Sequence, residues 1–191
     1  YKRQTITYKI SDGHGGQDTA TVFVKVTPVN HEPTGVDKTI TSPEDAPYAI
    51  TVADVGFSDP KDSTANALLA IKISSLPAVG TLSLDGTPVA SGQWIAVADI
   101  SAGKLVFTPV ANANGDNHAS FTFQVQDDGG TANGGQDTDQ TPNTVTFNVT
   151  PVNDAPEAVD DTLTALSNTT LTLGVAAVSY THLTLPTSDL V

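Results

Sequence analysis

The stretch "VTPVNHEPTGVDKTI" that begins at Val26 is written again as "VTPVNDAPEAVDDTL" beginning at Val149. Pro28 falls on Pro151 at an offset of 123 residues, and the same offset carries Asn30 onto Asn153, Pro33 onto Pro156, Val36 onto Val159, Asp37 onto Asp160 and Ile40 onto Leu163. A repeat of this length confines the chain to tandem copies of one unit. Upstream the offset is 115: Ile6, Tyr8, Ile10 and Asp12 of "ITYKISDG" fall on Phe121, Phe123, Val125 and Asp127 of "FTFQVQDD". Eight residues are therefore inserted between the two blocks. They sit in "DDGGTANGGQDTDQTPN", which replaces "DGHGGQDTA" between two strands, where a loop absorbs extra length.

This register divides the chain into the closing strands of one repeat (residues 1–29), a complete repeat (30–153) and the opening of a third (154–177). The repeat match stops after "GVAA". From Val178, "VSYTHLTLPT" back-translates into a transposase-type sequencing-library adapter, so residues 178–191 are expected to be non-native read-through without a packing partner. The start, "YKRQTITYKIS", has neither a Met nor a signal peptide, and a piece of a longer protein is expected.

Within the unit, apolar residues recur with period two: Val22, Val24, Val26; Leu69, Ile71, Ile73; Leu82, Leu84; Leu105, Phe107; Phe121, Phe123, Val125; Val145, Phe147, Val149. Such alternation predicts strands with one buried face. Turn signals separate them at Asp85–Gly86, at Gly103, in "NANGDN" from Asn112, and in the glycine-rich loop after Asp127. No helical periodicity of useful length occurs. About seven short strands in such a unit predict an all-β, two-sheet sandwich of immunoglobulin or cadherin type. A Thr-Pro-Val-Asn joint between sandwiches is short and stiff, because proline fixes φ and restrains the residue before it.

The chain carries 21 acidic against 8 basic residues, a net charge of −13, and no cysteine. That balance repels nucleic acid and anionic membranes and leaves carboxylates for cations. Without cysteine, stability outside the cell has to come from packing or from hard, oxygen-bound metals. No apolar run reaches membrane-spanning length.

Laid on a sandwich, the acids collect at its two ends. One end gathers Asp59 and Asp62 of "FSDPKD", Asp127 with Asp128, and the incoming joint at Asn30. The other gathers Glu44 and Asp45 of "PED", the loop around Asn112, Asn114, Asp116 and Asn117, and the outgoing joint at Asn153 and Asp154. Calcium takes six to eight oxygens from flexible loops, which suits such ends. Asp and Asn are also the usual residues of solvated turns, and the residues by themselves leave both readings open.

The run "GTLSLDGTPV…AVADISAGKLVFTPVANANGDNHASFTFQVQDDGG…TVTFNVTPVNDAP", with its "PVNDAP" joint and "F-x-F-x-V-x-D" strand, resembles the bacterial cadherin-like repeats of giant secreted adhesins. It is also similar to the chondroitin-sulfate-proteoglycan type repeat. The resemblance covers about Tyr8 to Ala177 and implies tandem sandwiches in an extracellular stalk with calcium at the junctions. It implies ligand positions at Glu44, Asp45, Asp59, Asp62, Asp127, Asn153 and Asp154. Two positions depart from the pattern: His31 stands where the second joint has Asp154, and Ser167 and Asn168 replace Glu44 and Asp45 in the third repeat.

The remaining motifs carry little chemistry. "GGQDT" at Gly15 and Gly134 is solitary at each place, His14, His31, His118 and His182 share no metal spacing, and no nucleophile elbow is present. Asp59 with Asp62 lacks the aromatic cleft of a glycosidase, and Trp94 is expected in the core. The sequons at Asn148 and Asn168 carry no weight in a chain that looks bacterial. The expectation is a non-enzymatic, calcium-stiffened extender of a bacterial surface or secreted adhesin. Its partners are neighbouring repeats, with any glycan or protein ligand held through other domains, and no nucleic acid or membrane insertion. The expected metal ligands are Asn30, Glu44, Asp45, Asp59, Asp62, Asp116, Asp127, Asn153 and Asp154. Two alternatives stand beside it: a sandwich that itself binds a glycan or protein through the loop Asp127 to Asn143, and an accessory domain of a polysaccharide-degrading enzyme.

Overall fold

The structure, a computed structural model, describes residues 2–155 and the backbone of two further strands at Glu157–Val159 and Ser179–Thr181. Two ten-residue strands open the chain, β1 (Lys2–Ser11) and β2 (Gln17–Val26), paired as an antiparallel hairpin. The joint at Pro28 leads into the central unit. There β3 (Lys38–Pro43), β5 (Leu68–Ser75), β8 (Trp94–Ala96), β10 (Gly115–Asp127) and β11 (Asn143–Thr150) form a five-stranded sheet in the order β3-β11-β10-β5-β8. A four-stranded sheet is built from β4 (Tyr48–Ala49), β6 (Thr81–Leu84), β7 (Thr87–Pro88) and β9 (Leu105–Thr108), in the order β4-β9-β6-β7. The expected all-β, sandwich-like class is present, with one five-residue helix, α1 (Val97–Ser101), that the apolar pattern does not announce.

The alternating residues are the core. Ile71, Ile73, Phe121, Phe123, Val125, Val145 and Phe147 of the larger sheet and Leu105 and Phe107 of the smaller one are all fully buried. The Phe107 ring stacks on that of Phe147 with centroids 4.0 Å apart, so an aromatic pair joins the two sheets. Gly80 permits this approach: it sits at φ 81, and a Cβ there would stand 2.8 Å from the Phe107 ring. The turn Asp85–Gly86 has φ of 50 and 77 at its two residues, the left-handed pair that a two-residue hairpin between β6 and β7 requires.

The segments matched by the two offsets pair alike. Ile6 pairs with Val22 and Gln4 with Val24 in the hairpin; Phe121 pairs with Val145 and Ala119 with Phe147 in the central unit. These are the partners that the offsets of 115 and 123 assign to one another. The inserted loop between β10 and β11 is held by Asp139, whose carboxylate accepts from Gly35 N (3.0 Å), Thr141 N (2.9 Å) and the Asn143 amide (2.8 Å).

Two expectations need correction. Trp94 lies on the edge strand β8 with 45% of its surface exposed and Lys72 Nζ 5.9 Å from its ring centroid, because among the described residues β8 borders no further strand and its outward face meets solvent. The segment from Val178 is not without a partner: Ser179–Thr181 (β13) pairs antiparallel with Glu157–Val159 (β12) as a separate two-stranded ribbon. The departures at Ser167 and Asn168, and most of the expected third repeat, lie outside the described residues.

Candidate metal centre

At the outgoing end the chain leaves β3 through Pro43 and turns at Glu44 and Asp45. Asp45 takes φ 63, a left-handed conformation that Asp tolerates better than most residues. This turn aims the Glu44 side chain inward, where it is 1% exposed, beneath the joint that follows β11. Glu44 Oε1 accepts from Val152 N at 2.8 Å, Oε2 accepts from the Asn114 amide at 2.9 Å, and Glu44 N donates to Thr150 O at 2.9 Å. Asp45 Oδ1 accepts from Asn112 N at 3.1 Å. Carboxylate oxygens of Glu44, Asp45 and Asp154 come within 4.8 Å of one another. The first two belong to the body of the unit and the third to the joint, so the cluster spans both.

At the incoming end, Asn30 of the first joint donates through its amide to Asp127 Oδ1 (2.9 Å) and Gln136 O (2.8 Å). The Asn66 amide bonds to Asn30 Oδ1 and, at 3.2 Å, to Asp62 Oδ2; Asn66 N donates to Asp59 Oδ2 at 2.6 Å. Gly129 makes room, since a Cβ there would collide with the side chains of Asn30 and Asn66. Asp59 and Asp127 are 6% and 0% exposed, and Asp59 Oδ1 and Asp127 Oδ2 are buried without a hydrogen-bond partner among the described residues. Burial pushes the Asp127 carboxyl above the ordinary carboxylate range, in spite of its bonds from Asn30 and Gly129 N, and the negative charges of Asp59 and Asp137 push the same way. His31 Nδ1 lies 2.7 Å from Asp62 Oδ1, and this hydrogen bond holds the Asp62 carboxyl below its usual range.

No family model, curated protein or solved structure matches this chain.

The structure thus gathers the expected ligands into two groups. Asn30, Asp59, Asp62 and Asp127 share one hydrogen-bonded network at the incoming end, and Glu44, Asp45 and Asp154 form the cluster at the other. Asp116, exposed at the start of β10, stands outside that cluster, and Asn153 is exposed on the joint next to Asp154. Asn66, the hub of the incoming network, was not among the expected residues; "STANALLA" offers no signal for it, because its importance comes from a neighbour 36 positions away in the chain. The histidine substitution at the first joint is legible in the sequence, and its pairing with Asp62 is not.

Both groups offer carboxylate and amide oxygens and no sulfur, with His31 against Asp62 as the single imidazole of the incoming one. Such a set fits a hard cation rather than zinc or copper. At the incoming end the two buried oxygens have no hydrogen-bond partner among the described residues, and leaving a buried acceptor unpaired costs about 1–3 kcal/mol.

Proposed function

We propose that this chain is a spacer: sandwich units in tandem whose joints are stiffened by calcium, forming part of an extracellular bacterial adhesin of the cadherin-like kind it resembles. The observation that carries the reading is the placement of Glu44. Its carboxylate is buried, bonded to Val152 N of the outgoing joint, and grouped with Asp45 and with Asp154 of that joint. Glu44, Asp45 and Asp154 would hold one ion, and Asp59, Asp127 and Asn30 another. Calcium, when bound, supplies positive charge shared between a unit and its joint, which removes carboxylate repulsion and narrows the angles the joint can take.

The alternative of a ligand-binding sandwich is less well supported. The groove beside the loop after Asp127, about 410 Å³, is lined by Pro28, Val29, Asn30, Asp62, Asn66 and Gly129 among others, with no aromatic side chain to stack on a sugar. No catalytic step is proposed.

The test is the thermal midpoint of the full chain in EDTA and in about 10 mM calcium. Sites with dissociation constants of about 0.1–1 mM would each add on the order of 1.4–2.7 kcal/mol. That corresponds to a rise of roughly 3–10 °C per site for a chain of this size. A rise that magnesium does not reproduce supports the reading, and an unchanged midpoint rejects it.

A further inference from the structure

Asn-Gly occurs twice in the chain, at Asn114–Gly115 and Asn133–Gly134. Glycine after asparagine leaves its own backbone nitrogen unshielded, so that nitrogen can reach the side-chain carbonyl carbon. The first pair sits where such chemistry would have consequences. Asn114 is exposed, and the position a Cβ would occupy at Gly115 meets nothing closer than His118 Nδ1 at 4.0 Å. Gly115 opposes Val149 at the end of the β10–β11 ladder, which is irregular from there to Ala119, so the residues that follow Gly115 are not fixed by successive pairs. The Asn114 amide nitrogen meanwhile donates to Glu44 Oε2 at 2.9 Å.

We propose that Asn114–Gly115 is a site of spontaneous deamidation that adds a negative charge against Glu44 and loosens the outgoing joint. Gly115 N attacks Asn114 Cγ; the new C–N bond closes a succinimide as the Cγ–Nδ2 bond breaks, and ammonia leaves with the proton from Gly115 N. Water then opens either C–N bond of the ring to give aspartate or isoaspartate. The net change is amide plus water to carboxylate plus ammonium, with no oxidation or reduction.

The product cannot keep the contact with Glu44. Where an N–H now donates, two carboxyl oxygens would face each other, and Glu44 is held in place by burial and by Val152 N. The new side chain has to turn away or share a cation with Glu44, Asp45 and Asp154. Only this last step rests on the calcium reading; the covalent change and the lost bond do not.

The full chain would be aged in warm, mildly alkaline buffer with EDTA and followed by peptide mass mapping and thermal melts. We expect a gain of about 1 Da at Asn114 with isoaspartate formed, and a fall of several degrees in the EDTA midpoint that follows it in time. Asn114→Asp should reproduce the fall without ageing. Asn114→Gln, whose ring closure is far slower, should keep its midpoint on ageing while Asn133 still gains mass. No mass change at Asn114 over a period in which Asn133 converts would overturn the proposal, as would an unchanged EDTA midpoint for Asn114→Asp. If calcium fails to restore that variant while the EDTA fall is present, the deamidation stands and the cation reading falls.

Discussion

The hairpin of β1 and β2 and the strand pair β10 and β11 are the same ladder in two surroundings. Ile6 opposes Val22 as Phe121 opposes Val145, yet Ile6 and Val22 are 54% and 45% exposed and their counterparts are fully buried. Both pairs even make the same local turn: Asp12 Oδ1 accepts from His14 N at 2.8 Å, and Asp127 Oδ1 from Gly129 N at 2.8 Å. Register is therefore written into the strands themselves through alternation and turn chemistry. Burial is not. The central pair is covered by a second sheet that brings Phe107 and Leu105 against it, whereas the apolar face of the hairpin stays open among the described residues.

The largest expected difference between the two pairs is in amide exchange. The amides of Ser120 and Thr146 should exchange at least about a thousandfold more slowly than those of Thr5 and Phe23, which occupy the same ladder positions. Similar protection in both pairs would mean that something covers the hairpin in solution.

One substitution made at matched sites sharpens the point. Val145→Ala should cost roughly 2 kcal/mol in the denaturant midpoint, from lost burial and the cavity left behind. Val22→Ala, 123 positions earlier, should stay within about 0.5 kcal/mol. Equal costs would break the comparison.

The smallest effect separates the two aspartates. Asp127→Asn should stabilise the chain in EDTA, by on the order of 1 kcal/mol, because it removes a buried charge and can keep the bond from Gly129 N. Asp12→Asn, at an exposed site, should do nothing measurable. The Asp127 carboxyl titrates above its unfolded value, so its favourable contribution is present below the ordinary carboxylate pKa and is lost as pH rises through the folded one. The advantage of Asp127→Asn should accordingly shrink on acidification, and melts at neutral and acidic pH in EDTA would show it. A destabilised Asp127→Asn at neutral pH would contradict the burial argument.

Legibility followed the range of the interaction. The Asp85–Gly86 turn and the strand alternation are local and were readable. The acids of each loop are legible too, since turn residues announce their loops, but which of them converge is not. Trp94 was misread because "GQWIAV" shows an apolar neighbourhood and not that its strand is an edge. Asn66 and Asp139 gave no sign, since each matters through partners brought from elsewhere: Asn30 and Asp62 for one, Gly35 for the other.

By itself the sequence determined the internal match between two segments, the alternation of their strands, and a surplus of carboxylates at the loops. Tertiary structure alone decided which carboxylates are dry. Glu44 and Asp127 lie beside exposed acids in the chain, Asp45 and Asp128, yet Glu44 is 1% and Asp127 0% exposed. The physical reason is that strand pairing depends on residues two apart and on the turn between them, whereas the desolvation of a charge depends on whatever the whole chain packs above it.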